Sequence, residues 1–200
     1  MNKIITIGRE FGSGGRELGK RLADELGFAY YDWEIVSEIA KRTSLSEEYV
    51  KSIIEHKPII SYPIHTGRSF TSLYYDVHAD HNTSVYQEQK KLLKELAEKS
   101  DCVIVGRCAD YILKDYQPYR IFVYADMESK MERCRQKGET DKNLSDKKLK
   151  RYIKKIDKHR SKYYAFYTGL NWGDKLNYDL CINTTGINIS DVIPHIAKML

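Results

Sequence analysis

The chain has 200 residues, of which 42% are hydrophobic and 30% charged, with a formal net charge of +5. That is ample for a sizeable core, and the length suits one domain or one domain with an insertion. After Met1-Asn2-Lys3 only four apolar or β-branched residues follow, too few for a signal peptide, and no run approaches a membrane span. Cys102, Cys108, Cys134 and Cys181 show no C-x-x-C spacing, and two of them sit in apolar runs. Reduced core thiols and a cytoplasmic setting are therefore expected.

Ile4-Ile5-Thr6-Ile7 has the β-branched composition of a buried strand. Four glycines follow within Gly8-Arg9-Glu10-Phe11-Gly12-Ser13-Gly14-Gly15. Leu18, Leu22 and Leu26 then recur along one helix face, with Gly19 and Ala23 beside them and Gly27 closing the helix. Strand, glycine loop and helix are the setting of a phosphate-binding loop. Glycines let several N–H groups turn inward, and the helix start adds partial positive charge. The usual signature, G-x-x-x-x-G-K-[ST], brings a lysine to the terminal phosphates and a hydroxyl to Mg2+. Aligned on it, Gly15 falls at the lysine, Arg16 at the hydroxyl and Arg9 at the first glycine. A glycine turn that merely joins strand to helix is the plainer alternative.

Phe28-Ala29-Tyr30-Tyr31-Asp32 reads as a second strand ending in a carboxylate. Sites of open α/β sheets lie at the carboxyl ends of strands, which positions Asp32 for function. Equally, Asp32 caps a helix from Trp33 whose apolar face is Ile35, Val36, Ile39 and Ala40. Ser44-Leu45-Ser46-Glu47 resembles a capping box before a helix with Tyr49, Val50, Ile53 and Ile54. Residues 57–83 are the least regular part, mixing Pro58, Pro63 and Gly67 with His65, Arg68, Phe70, Tyr74, Tyr75 and His78. Aromatic rings with interleaved arginine stack on bases and grip phosphate. A mobile substrate loop and a homodimer contact both fit. His78-Ala79-Asp80-His81 matches no strong ligand spacing, so no metal site is expected there.

A long helix from about Thr83 carries Val85, Leu92, Leu93, Leu96 and Ala97. Cys102-Val103-Ile104-Val105 is wholly apolar, as a central parallel strand is. It ends in Gly106-Arg107, which sets a guanidinium beside the phosphate loop. A surface arginine paired with a carboxylate is the alternative. No acid ends this strand, and Asp110 is the nearest carboxylate in sequence.

Ile121-Phe122-Val123-Tyr124-Ala125 is a fourth strand, and Asp126 the N-cap of a helix with Met127, Met131 and Cys134. Residues 126–162 hold 14 Lys or Arg against 7 Asp or Glu, so the rest of the chain is slightly acidic. Such local basicity suits an anionic ligand better than a nucleic-acid surface, with a solvated helix face as the alternative. Leu149, Tyr152, Ile153 and Ile156 mark a further helix, and Leu180-Cys181-Ile182-Asn183 a fifth strand. Ser190 begins a last helix with Val192, Ile193, Ile196 and Leu200. Strands alternating with helices predict an α/β fold, a five-stranded parallel sheet with helices on both faces.

The order of parts resembles the nucleoside monophosphate kinases and, more closely, the cytidylate kinase-like family of P-loop NTPases. Ile7-Gly8-Arg9-Glu10-Phe11-Gly12-Ser13-Gly14-Gly15-Arg16-Glu17 is similar to that family's divergent phosphate loop, and Val105-Gly106-Arg107 to its substrate-binding Gly-Arg. Leu26-Gly27-Phe28-Ala29-Tyr30-Tyr31-Asp32 is similar to the approach to its monophosphate site. Asp157-x-x-Arg160 resembles its lid helix. The resemblance implies one three-layer P-loop domain over residues 1–200, with a substrate-binding insertion at about 33–100 and a basic helical lid at about 126–172. It implies a phosphotransferase using ATP, with Mg2+, on a nucleoside monophosphate or similar small anionic acceptor, and no nucleic-acid or membrane partner.

By the same resemblance Arg9, Gly12, Ser13, Gly14, Gly15 and Arg16 bind donor phosphates, while Asp32, Arg68, Arg107 and Asp110 face the acceptor. Arg16, Arg133, Arg135, Asp157 and Arg160 act on the transferring group, residues 138–143 serving as the lid's hinge. The chain departs from authentic cytidylate kinases at the loop lysine, the loop hydroxyl and the acid before Gly106. Those departures leave a second reading, a non-catalytic nucleotide-sensing protein that kept the fold.

Overall fold

The structure is a computed structural model that describes the backbone of residues 1–55, 72–138 and 144–200, and the side chains of 1–54, 83–138 and 144–200. The apolar, β-branched runs become strands β1 (Ile4–Arg9), β2 (Ala29–Tyr31), β3 (Cys102–Val105), β4 (Tyr119–Tyr124) and β5 (Leu180–Asn183). All pair in parallel, in the order β2-β3-β1-β4-β5. β1 is central, with Ile5 beside Val103 on one flank and Ile7 beside Ile121 on the other. The glycine loop therefore leaves the middle of the sheet's carboxyl edge, between the loops that follow β3 and β4.

The helices are α1 (Gly15–Leu26), α2 (Glu34–Thr43), α3 (Glu47–Glu55), α4 (Ser72–Lys99), α5 (Ala109–Ile112), α6 (Met127–Lys137), α7 (Asp146–Thr168) and α8 (Ile189–Ala197). Strand residues alternate between faces, and the two faces bury separate cores. Ile5, Ile7, Val103, Val105, Ile121 and Val123 pack on α1 and α8. Ile4, Cys102 and Ile104 pack on α2, α3, α4, α5 and the last turns of α7. A third, small core of Cys134, Leu149 and Ile153 joins α6 to α7. The predicted three layers are thus present.

Several boundaries differ from the sequence reading. β1 extends to Arg9, which makes Arg9 a strand residue and not part of the loop. Ser44 ends α2 at a φ of 56°, and it is Ser46 Oγ that accepts from Tyr49 N at 3.2 Å, so the cap of α3 is Ser46. α4 begins at Ser72, well before Thr83. Among the described residues, no helix is long and apolar enough to cross a membrane. None of the four cysteines forms a disulfide, and three of them are buried. His65, Arg68 and the histidines at 78 and 81 lie outside the residues whose side chains are described, as do 139–143 of the expected hinge.

Candidate active site

The loop from β1 to α1 presents its backbone outward. Gly12 and Gly14 take left-handed φ values of 76° and 82°, and no side chain caps α1. Among the described residues, the N–H groups of Gly14, Gly15 and Arg16 meet no protein acceptor. A helix start with open N–H groups is a ready anion site. Ser13 does not share in it: its buried hydroxyl donates back to Glu10 O at 2.9 Å, shaping the turn. Its carbonyl accepts from the buried Thr184 hydroxyl at 2.7 Å, which ties the loop to the end of β5.

The outer half of the loop is strapped to α6 and α7. Asp157 accepts from Phe11 N at 2.7 Å and from Lys130 Nζ at 2.7 Å, and Lys130 Nζ reaches Glu10 Oε2 at 3.0 Å. Asp157 thus positions the loop through these bonds. Three residues further along the same face of α7, Arg160 Nη1 donates to Arg9 O at 3.2 Å.

Four arginines gather around this loop. Asp32, 1% exposed, meets Arg16 Nε at 2.6 Å and Arg9 Nη2 at 3.9 Å. Trp33, not a capping side chain, stands at the start of α2, so the reading of Asp32 as a helix cap is set aside. Burial, and then the Arg160 charge, push Arg9 well below its ordinary pKa; Asp32 opposes them, and Arg107 and Arg16 add to the depression. Trp33 collects cations on its ring: Lys51 at 4.7 Å, Arg16 at 5.0 Å and Arg107 at 5.7 Å from the centroid.

After β3 the backbone makes a left-handed turn, with φ of 73°, 62° and 51° at Gly106, Arg107 and Cys108. Two of these residues carry side chains, so the turn stores strain of about 1–2 kcal/mol each. Buried Gln89 holds it, donating to Arg107 O at 2.8 Å. Arg107 is itself 7% exposed, and its Nε and Nη2 have no protein partner among the described residues. The alternative of a surface arginine paired with a carboxylate is thus set aside: this guanidinium is interior. Beside it, buried Asp110 accepts from Tyr164 Oη at 2.6 Å.

Burial raises the Asp110 pKa against the opposing Tyr164 hydrogen bond. Between the unfolded carboxylate value of about 3.9 and this raised value the folded state holds the extra proton, so stability falls as pH rises through that window. Asp110→Asn keeps an acceptor for Tyr164 and removes the titration. Its melting temperature relative to wild type is expected to climb as pH rises above about 4. A constant offset over that range would rule the effect out.

Nine of the expected residues line two adjoining pockets, while Ser13, Asp32, Arg135 and Asp157 line neither. One is lined by Arg9, Gly12, Gly14, Gly15, Arg16, Arg133 and Arg160, the other by Arg9, Arg107, Asp110, Arg160 and the rings of Tyr163, Tyr164, Trp172 and Tyr178. Arg133 reaches the first pocket while its guanidinium donates to Thr184 O and Ile187 O. Arg135 is not brought in: it pairs with Asp146 at the start of α7. Residues two apart on a helix point to different sides, so Arg133 and Arg135 cannot both face the loop. Lys130, Trp33 and Thr184 were not anticipated. Lys130 had a sequence signal, since it lies on the same stripe of α6 as Met127, Met131 and Cys134.

A central parallel strand feeding a glycine loop and helix, in a sheet ordered 2-3-1-4-5, defines a P-loop kinase fold. Shikimate kinase from Bacteroides thetaiotaomicron shares that fold at 15% identity and a TM-score of 0.58, over 98% of this chain and 97% of that one. Shikimate kinase from Acinetobacter baumannii, solved in complex with shikimate, does so at 16% and 0.52, over 100% and 92%. An uncharacterized protein from Eubacterium ventriosum is similar at 28% identity and a TM-score of 0.70, over 99% and 98%. No curated protein matches the chain. Residues 4–186 match the cytidylate kinase-like family, and the chain belongs to it.

Proposed function

We propose that the chain is a phosphotransferase that moves the γ-phosphoryl group of ATP to a nucleoside monophosphate or a similar small anionic acceptor. The observation that carries this reading is the gathering of Arg9, Arg16, Arg107 and Arg160 around the two pockets, with Asp32 the carboxylate that offsets Arg9. Arg107 is buried and the Arg9 side chain is only 11% exposed, and cations held so far from water call for an anion. The donor triphosphate lies on the open N–H groups at the start of α1, with Arg133 alongside. The acceptor's anionic group takes the two unpartnered nitrogens of Arg107. Phosphoryl transfer needs mainly alignment and charge neutralisation, which these groups supply without the usual loop lysine.

Mg2+, if carried in by the nucleotide, would supply charge neutralisation at its phosphates. Among the described residues, no three His, Cys, Asp or Glu side chains form a cage for it. The carboxylates beside the loop, Glu10 and Asp32, are tied to Lys130 and Arg16. These are the carboxylates that a nucleotide-borne Mg2+ would find beside the loop, and no step here runs through the ion.

Titration calorimetry with ATP, followed by a screen of nucleoside monophosphates for ATP-dependent formation of diphosphates, tests the reading. Binding and turnover are expected, and Arg107→Ala should raise the acceptor KM at least about tenfold with ATP affinity unchanged, the worth of one charge-assisted bidentate contact. ATP binding with no turnover on any acceptor would instead support a nucleotide sensor. No binding of ATP would end both readings.

A further inference from the structure

Arg9 stands where the usual loop signature has glycine. As the last residue of β1 it sends its guanidinium along the seam between the two pockets, and it lines both. Glycines clear its path. A Cβ built on Gly15 would lie 2.4 Å from Arg9 Cβ, and one on Gly106 would lie 1.8 Å from Arg9 Nη1. Gly15 belongs to the first pocket and Gly106 to the second. The side chain thus fills a channel that spans the two. Its backbone is pinned by strand pairing with β4 and by the bond from Arg160 to its carbonyl. Its counter-charge, by contrast, is loose: Asp32 lies 3.9 Å from Arg9 yet 2.6 Å from Arg16. A buried guanidinium so lightly neutralised is poised for an anion.

We propose that Arg9 supplies from the strand the charge that the loop lysine supplies elsewhere, and contacts the phosphoryl group as it crosses from one pocket to the other. This rests on the phosphotransferase reading above. In the transfer, an anionic oxygen of the acceptor phosphate forms a bond to the γ-phosphorus of ATP. The bond from that phosphorus to the β–γ bridging oxygen breaks, its electron pair leaving on ADP, and no proton has to move. Charge spread over the equatorial oxygens is what a guanidinium at the seam stabilises. A point-charged ammonium reaches from one side, whereas the planar fork donates to donor and acceptor phosphates together.

A dinucleoside pentaphosphate, adenosine joined to the nucleoside of the best-bound monophosphate, occupies both pockets at once and tests the placement without turnover. Calorimetry compares it with ATP and with that monophosphate on wild type, Arg9→Met and Arg9→Lys. Arg9→Met is expected to weaken ATP and the monophosphate about threefold each, since each loses one partner, and the ligand that spans both pockets by much more. It should weaken the pentaphosphate at least about 30-fold, or roughly 2 kcal/mol. Arg9→Lys, which keeps the charge and serves if the Met variant does not fold, should lose about fivefold on the pentaphosphate alone. Equal losses on ATP and pentaphosphate would confine Arg9 to the donor pocket and overturn the proposal. Unchanged pentaphosphate affinity would overturn it too. A wild type that binds the pentaphosphate no more tightly than ATP would instead defeat the underlying two-pocket reading, and this inference with it.

Discussion

Lys130→Met is expected to lower the melting temperature by about 5–10 °C. Lys130 is 4% exposed and its ammonium is shared by Glu10 and Asp157. Removing the cation leaves two carboxylates facing one another beside the glycine loop. Breaking a fully buried pair costs roughly 3–5 kcal/mol. Here the carboxylates keep 28% and 15% of their side-chain exposure, so a loss of about 2–3 kcal/mol is the better figure. For a chain of this size each kcal/mol is worth about 2–4 °C. Adding Asp157→Asn should recover part of the loss, because the amide oxygen still accepts from Phe11 N while one stranded charge disappears. Melts of wild type and the two variants decide it. A single variant within about 2 °C of wild type would show that the triad does not hold the loop.

Gly106→Ala should reproduce the binding defect of Arg9→Met although residue 106 offers no functional group. Its φ of +73° costs an alanine about 1–2 kcal/mol, and the new methyl would overlap Arg9 Nη1. Arg9 cannot retreat through its backbone, which is paired within the sheet. The guanidinium must swing out of the seam. A melting loss of about 2–8 °C is expected from the backbone term. Affinity for a ligand spanning both pockets should fall at least about tenfold, and the double variant Gly106→Ala/Arg9→Met should be no worse than Arg9→Met alone. Additive losses would show that the two positions act separately.

How much of this was legible in the sequence depended on how local the signal was. β1, the loop and α1 could be read because a β-branched run, a glycine cluster and a leucine period lie within 27 residues, each reporting on backbone geometry alone. The Asp126 cap of α6 was legible for the same reason, and its carboxylate does accept from Ser129 N at 2.8 Å. Asp32 and Asp157 were found as residues but their protein partners were not, because a carboxylate at a strand end or on a helix says nothing of its partner. The Asp157 partners lie 27 and 146 positions away in the chain. Arg107 was expected at the sheet's edge; three successive left-handed residues turn it inward, and only the first of them is a glycine. Arg135 was grouped with Arg133 by charge, whereas helical rotation separates them.

The cations on Trp33 give this protein an optical reporter of its own. The chain has two tryptophans, one ringed by Arg16, Lys51 and Arg107, the other a wall of the second pocket. Indole emission follows the charges around the ring, and an anion bound as proposed would draw Arg16 and Arg107 toward itself. Trp33→Phe and Trp172→Phe each leave a single emitter, one watching the arginine cluster and one the aromatic wall. Stopped-flow traces of the pair would therefore give the order in which two ligands arrive, with no label attached.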